Sequence, residues 1–188
     1  MAQQATSDQQ LWAAIQNSER EALNQLFRRY YDVLVRYASV ILRDTPEIEE
    51  AVSDVFLNMW QKAPHLEVPL NVKAYLYASV RHEALRRAHQ LRSPLAASLD
   101  AVRHQPVADE PLGLEYKELE ATIAGAIEKL PVRCREVFVL SRFHQMKHKD
   151  ISKLCDVSEK TIESHISRAL ADIRSAIAKY FSEPTFRV

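Results

Sequence analysis

Apolar residues along this chain recur mostly at intervals of three and four, the period of a helix with one buried face. Leu26, Phe27, Tyr30, Leu34, Tyr37, Ala38 and Ile41 place such a stripe on one long helix. Ile48, Ala51, Val52, Val55, Phe56, Met59 and Trp60 fit the helical template at every position of a second. Thr45-Pro46 with Glu49 predicts where that helix starts: a cap, an early proline and acids in the first turn. Pro64 and Pro69 bracket a loop over 65–70, and a further helix is predicted from about Asn71 to His89. Later, Leu119, Ile123, Ala126, Ile127 and Leu130 form another stripe, after which Pro131 opens a helix carrying Cys134, Val137, Phe138 and Ser141 on one side. Ile151, Leu154 and Cys155 mark a short helix, and Ile162, Ile166, Ala169, Leu170, Ile173 and Ile177 keep a helical period to the end.

The predicted fold class is therefore all-α, with two helical domains over 7–90 and 116–181. Between them, 91–115 reads as a linker. Its part 91–113 holds Pro94, Pro106 and Pro111 and is too polar to bury a face. Composition sharpens this. Among 188 residues only Gly113 and Gly125 are glycine, too few for glycine-rich phosphate loops or a turn-rich β architecture. No run of about 18 apolar residues exists, so no membrane insertion is expected. Met1-Ala2-Gln3-Gln4 lacks the basic and apolar regions of a secretory signal, and Cys134 and Cys155 make no disulfide framework. A reducing, cytoplasmic setting is expected.

Formal net charge is zero, with 25 basic and 25 acidic residues, but the distribution is uneven. Basic and acidic residues number 10 and 11 over 1–90, 3 and 6 over 91–120, and 12 and 8 over 121–188. The last segment alone is positive, as a phosphate-facing surface would be.

Three groups of residues could carry function. Asp44, Glu47, Glu49, Glu50 and Asp54 cluster against the lone cation Arg43, either as a solvated helix face or as a docking surface for a basic partner. Tyr75, Ser79, His82, Arg86 and His89, spaced four, three, four and three, share one helix face flanked by Arg81 and Arg87. A ring plus cations suits stacking on unpaired bases and contact with phosphates; the plain alternative is an amphipathic surface helix with Tyr75 half-buried. Finally, Cys155-Asp156-Val157 makes a tight connection to Ser158, a good N-cap. Two helices joined this way are either a helix-turn-helix, whose second helix enters the DNA major groove, or a plain helical hairpin. On the second helix Glu159, Lys160, Thr161, Glu163, Ser164, His165, Ser167 and Arg168 are nearly all able to hydrogen-bond to phosphates or base edges.

Catalytic and metal chemistry find no foothold. No Ser–His–Asp or paired-carboxylate arrangement stands out, so no enzyme is expected. His144 and His148 lie four apart without a Cys-x-x-Cys companion, so neither a metal site nor a cofactor is expected. Cys134, on an apolar face, and Cys155, in a core slot, read as buried inert thiols.

Leu130-Pro131-Val132-Arg133-Cys134-Arg135-Glu136-Val137-Phe138, then Lys149-Asp150-Ile151-Ser152, then Val157-Ser158-Glu159-Lys160-Thr161-Ile162 through Arg168-Ala169-Leu170, closely resemble the C-terminal domain of extracytoplasmic-function sigma factors of the sigma-70 family. The details look most like the Bacteroidetes expansion of that family. Ile48-Glu49-Glu50-Ala51-Val52-Ser53-Asp54-Val55-Phe56-Leu57-Asn58-Met59-Trp60 and Ala74-Tyr75-Leu76-Tyr77 through Arg81 are similar to sigma region 2. Two departures stand out. Asp156 replaces the usual turn glycine, where an intact turn is still expected because aspartate tolerates a left-handed backbone. His82 follows Arg81 where the family has asparagine.

The resemblance implies a division of labour. Glu49, Glu50, Asp54 and Asn58 would dock on core RNA polymerase. The 65–70 loop with Tyr75, Ser79, His82, Arg86 and His89 would capture unpaired bases of the promoter −10 element. Ser158, Lys160, Thr161, Ser164, His165 and Arg168 would read the −35 element, and the linker would thread near the polymerase active centre. A membrane-tethered anti-sigma factor is a further partner that the resemblance suggests. The alternatives are a stand-alone helix-turn-helix transcriptional regulator, whose N-terminal helices bind an effector or dimerise, and a helical adaptor with no nucleic-acid role.

Overall fold

A computed structural model of the chain describes residues 6–91 and 114–182. The described residues hold eight α-helices and one short 3₁₀ turn, and no strand. In order these are α1 (Asp8–Gln16), α2 (Arg20–Ala38), α3 (Thr45–Lys62), the 3₁₀ turn (Ala63–His65), α4 (Val72–Leu91), α5 (Leu114–Lys129), α6 (Val132–Arg142), α7 (His148–Cys155) and α8 (Glu159–Ser182). The chain separates into two compact units, Met1–Arg103 and His104–Val188. Nearly all of the expected linker lies outside the described residues.

The first unit is built on the predicted stripes. Ala22, Leu26, Tyr30, Leu34, Tyr37 and Ala38 of α2 are buried, as are Ile48, Ala51, Val52, Val55, Phe56 and Met59 of α3. Leu76, Tyr77, Val80 and Ala84 of α4 close the core. Helix α3 starts one residue earlier than its sequence signal suggests. The cap is Asp44, whose carboxylate accepts the Glu47 N–H at 3.4 Å, and Thr45 is already helical. A carboxylate satisfies the free N–H groups of a first turn and also complements the helix dipole, which a threonine hydroxyl does not.

Helix α1 begins with a reciprocal capping box. The Gln10 N–H donates to Ser7 Oγ, and the Ser7 N–H donates to Gln10 Oε1. Its Leu11, Trp12 and Ile15 are buried, and Asp8 accepts from both Arg29 and Tyr30 of α2. Burial and the neighbouring Asp8 carboxylate push the Tyr30 phenol well above its usual range.

In the second unit, Ala126, Leu130, Cys134, Phe138, Ala169 and Ile173 form the core, with Ile123, Ile127, Leu170, Ala176 and Ile177 packed on it. Both cysteines are buried free thiols. Cys134 Sγ donates to the His165 carbonyl at 3.2 Å, and burial raises its pKa.

Glycine scarcity leaves a visible trace. Ser18, Gln145 and Asp156 carry φ of 63°, 51° and 54°, so three helix connections turn through left-handed residues that are not glycine. Gly125 sits inside α5.

Candidate nucleic-acid and polymerase interfaces

Helices α7 and α8 meet through the predicted three-residue connection. Asp156 terminates α7 in the left-handed region, and the N–H groups of Asp156 and Val157 both donate to the Ser152 carbonyl. Ser152 Oγ donates back to the Val157 carbonyl at 2.6 Å. The turn is thus held by one short polar side chain, and the missing glycine does not open it.

Ser158 caps α8. Its Oγ accepts the Thr161 N–H at 3.1 Å and lies 2.8 Å from Thr161 Oγ1, so these two hydroxyls engage each other. Lys160, Ser164 and Arg168, four apart, are exposed along one face. Thr161 and His165 are half-buried beside the buried Ile162 and Ile166. Five of the six expected −35 residues lie on α8 and the sixth, Ser158, caps it; Lys160, Ser164 and Arg168 form the helix's open stripe.

On α4 the expected −10 residues divide. His82, Arg86 and His89 are exposed, while Ser79 and Tyr75 are half-buried. Tyr75 meets the fully buried Trp12 edge-on, with ring centroids 4.9 Å apart and an interplanar angle of 84°. The Arg86 guanidinium pairs with Glu83 at 2.5 Å and donates to Gln90 Oε1 at 3.1 Å. Preceding α4, the 66–70 loop exposes Leu66, Val68 and Leu70, the last at 95%. Asn71 then caps the helix by accepting the Ala74 N–H.

The acidic cluster differs most from its sequence reading. Its cation is Arg87, not Arg43, and Arg87 does not flank a nucleic-acid strip. Its side chain is 9% exposed and reaches from α4 to α3, where it contacts Glu47 at 2.9 Å, Glu50 at 2.8 Å and Asp54 at 2.5 Å. Its Nε also donates to Glu83 at 2.8 Å. Burial opposes the Arg87 charge, but the hydrogen bonds it donates to Glu50, Glu83, Glu47 and Asp54 outweigh that cost and raise the pKa. Glu83, hydrogen-bonded first by Arg86 and, against the cost of burial, also by Arg87, is held down at about 2.

Of the expected polymerase-binding residues, Glu50, Asp54 and Asn58 lie four apart on one face of α3. Glu50 keeps a side chain 65% exposed despite its bond to Arg87, and Asp54 keeps 38%. Asn58 is exposed and donates to the Asp54 carbonyl. Glu49 is exposed beside them.

Sequence reasoning missed the contacts of α1. The signal was present as Ser7 and Gln10 in capping-box spacing.

Comparison with known proteins matches both halves. The Sigma-70 region 2 family model matches residues 26–93, and the Sigma-70 region 4 family model matches residues 121–173. The chain is 28% identical over 165 residues to ECF RNA polymerase sigma factor SigM of Mycobacterium tuberculosis, covering 88% of this chain and 82% of that one. It is 24% identical over 176 residues to RNA polymerase sigma factor NccH of Alcaligenes xylosoxydans xylosoxydans, covering 90% and 94%. Two solved structures share the fold. CnrH in complex with the cytosolic domain of CnrY gives a TM-score of 0.65 at 20% identity, covering 92% of this chain and 97% of that one. RpoE in complex with the anti-sigma factor NepR from Bartonella quintana gives 0.64 at 21%, covering 82% and 96%. With both sigma regions in order along one chain, the protein belongs to the extracytoplasmic-function sigma factors of the sigma-70 family, which bind core RNA polymerase and direct promoter-specific transcription initiation.

Proposed function

We propose that the two halves of this sigma factor divide promoter recognition, with region 2 over 7–90 and region 4 over 116–181. The observation that carries this reading is the open Lys160–Ser164–Arg168 stripe behind an intact helix-turn-helix. In the major groove, Lys160 and Arg168 reach phosphates or guanine, while Ser164 and His165 reach base edges. Ser158 and Thr161 hold the first turn of α8, and their hydroxyls can meet a phosphate.

In region 2, the exposed 66–70 loop with Tyr75, Ser79, His82, Arg86 and His89 receives unpaired bases of the −10 element. Apolar and aromatic surface suits base faces, and His82, Arg86 and His89 suit phosphates. Glu49, Glu50, Asp54 and Asn58 meet a basic surface of core polymerase. The 91–115 linker passes near the polymerase active centre.

The factor contributes no catalytic group of its own and acts in the cytoplasm, alongside the polymerase and promoter DNA it binds. An anti-sigma factor is a natural partner, because RpoE, which shares this fold, is solved in complex with the anti-sigma factor NepR, and CnrH, which also shares it, with the cytosolic domain of CnrY. Such a partner could carry a membrane tether; no described helix of this chain is long and apolar enough to cross a membrane.

Run-off transcription with core polymerase and no other sigma factor tests the assignment. The wild type is expected to start transcripts at a defined promoter, and Lys160→Ala with Arg168→Ala to lose that promoter dependence while still binding polymerase. A stand-alone regulator would start no transcript unless another sigma were added.

A further inference from the structure

One face of α1 reaches the loop that precedes α4. Gln16 Nε2 donates to the Ala63 carbonyl at 3.2 Å and to the Leu66 carbonyl at 2.5 Å. Two turns earlier on the same face, Gln9 Nε2 donates to the Leu70 carbonyl at 3.0 Å. Between these glutamines, Trp12 packs against Tyr75. Helix α1 therefore touches the loop at its entry, at its exit, and at the first aromatic ring of the helix that follows.

The direction of these bonds matters. Both glutamines hold backbone carbonyls, so these bonds engage none of the loop side chains. Leu66 and Val68 keep 37% and 39% exposure, and Leu70 stands almost fully open at 95%. Exposed apolar side chains on a short loop gain nothing in the free protein, and backbone anchoring at both ends gives them a defined position. A loop held this way presents its apolar groups already ordered to a ligand that covers them.

We infer that Gln9 and Gln16 are positioning residues for −10 selection: α1 acts as a brace that sets the shape of the 66–70 loop and the pose of Tyr75, and thereby which unpaired bases the factor accepts. This inference rests on the −10 reading proposed above.

The test uses the full chain with core polymerase and a duplex template library randomised over both promoter elements, with transcribed templates sequenced. Gln9→Met with Gln16→Met keeps side-chain length and adds no charge, but removes both donors. It is expected to narrow discrimination at the −10 positions by about three- to tenfold, the effect of losing a pre-ordered loop, and to leave −35 preferences unchanged. Gln9→Lys with Gln16→Lys keeps a donor at each place and is expected to restore the wild-type −10 profile, a rescue that simple helix stability would not produce. An unchanged −10 profile in the methionine pair would overturn the brace, as would an equal loss at both elements. Leu70→Ser and Tyr75→Ala separate the two ideas. If these alter −10 preference and the methionine pair does not, the brace alone fails; if neither alters it, the −10 reading fails first.

Discussion

Charged side chains in the two units of this protein are used in opposite ways. On α3 and α4, Glu47, Glu50, Asp54 and Glu83 converge on one nearly buried guanidinium, so much of the acidic charge is answered inside the unit. On α8, Lys160 and Arg168 stand exposed on an open stripe. Residue types on both helices suggested interaction surfaces. The difference teaches that charge in a sequence becomes charge on a surface only where the fold has not already paired it. It also suits the biology of a factor with two partners. A half-neutralised acidic face limits indiscriminate adhesion of the free protein, while the α8 stripe, as a proposed DNA contact, needs its cations free.

The contrast breaks most severely at Arg87. Arg87→Met should cost about 3–5 kcal/mol, because it leaves Glu47, Glu50 and Asp54 facing one another without the guanidinium that joins them in a partly buried site. Chemical denaturation of the full chain would read this as an early first transition. A loss below about 1 kcal/mol would mean the clamp is solvent-screened like an ordinary surface pair.

Next come the acids themselves. Glu50→Lys and Asp54→Lys should abolish co-purification with polymerase, but they also break the clamp. Glu49→Lys is the cleaner probe, since Glu49 is exposed and Arg87 does not reach it. It should weaken co-purification and leave thermal melting near wild type; unchanged co-purification for all three would remove the docking assignment.

A smaller and more graded effect is expected on α8. Lys160→Ala or Arg168→Ala should each lower promoter binding by the holoenzyme. A residue that contacts phosphate should reduce the salt slope by about one, and a residue that reads a base should cost about 1–3 kcal/mol at one position only.

Acid should act on the first unit through Glu83. Its carboxyl is held near 2, below an unfolded value near 4.5, so its contribution is complete above about pH 4.5 and disappears as pH falls toward 2. Glu83→Gln should flatten that part of the stability–pH curve. A wild-type curve with no slope there would contradict the pairing with Arg86 and Arg87.

The smallest effect belongs to the turn. Asp156→Gly should stabilise the second unit by at most about 1 kcal/mol, because glycine adopts φ of 54° without the steric cost that aspartate bears. Promoter selectivity should not change, since Ser152 already fixes the connection.

Much of the architecture was readable before any coordinates. Each helical stripe found by spacing is buried or half-buried, and the αL turn at Asp156 was anticipated from the tolerance of aspartate for that conformation. Local signals slipped by small steps, as where Asp44 rather than Thr45 caps α3. The partners of Arg87 were not readable, because 33 to 40 residues separate it from Asp54, Glu50 and Glu47. Nor were the reach of Gln9 and Gln16 to the 66–70 loop, or the contact of Trp12 with Tyr75.

By itself, then, the order of residues determined the helices, their buried faces, the helix-turn-helix and the two sigma-like blocks. These depend on interactions a few residues apart, or on motifs contiguous in the chain. Which charges remain available, and what holds the apolar loop, was decided only when α1, α3 and α4 packed together. Pairings between distant side chains depend on how helices cross, and helical periodicity carries no record of the crossing.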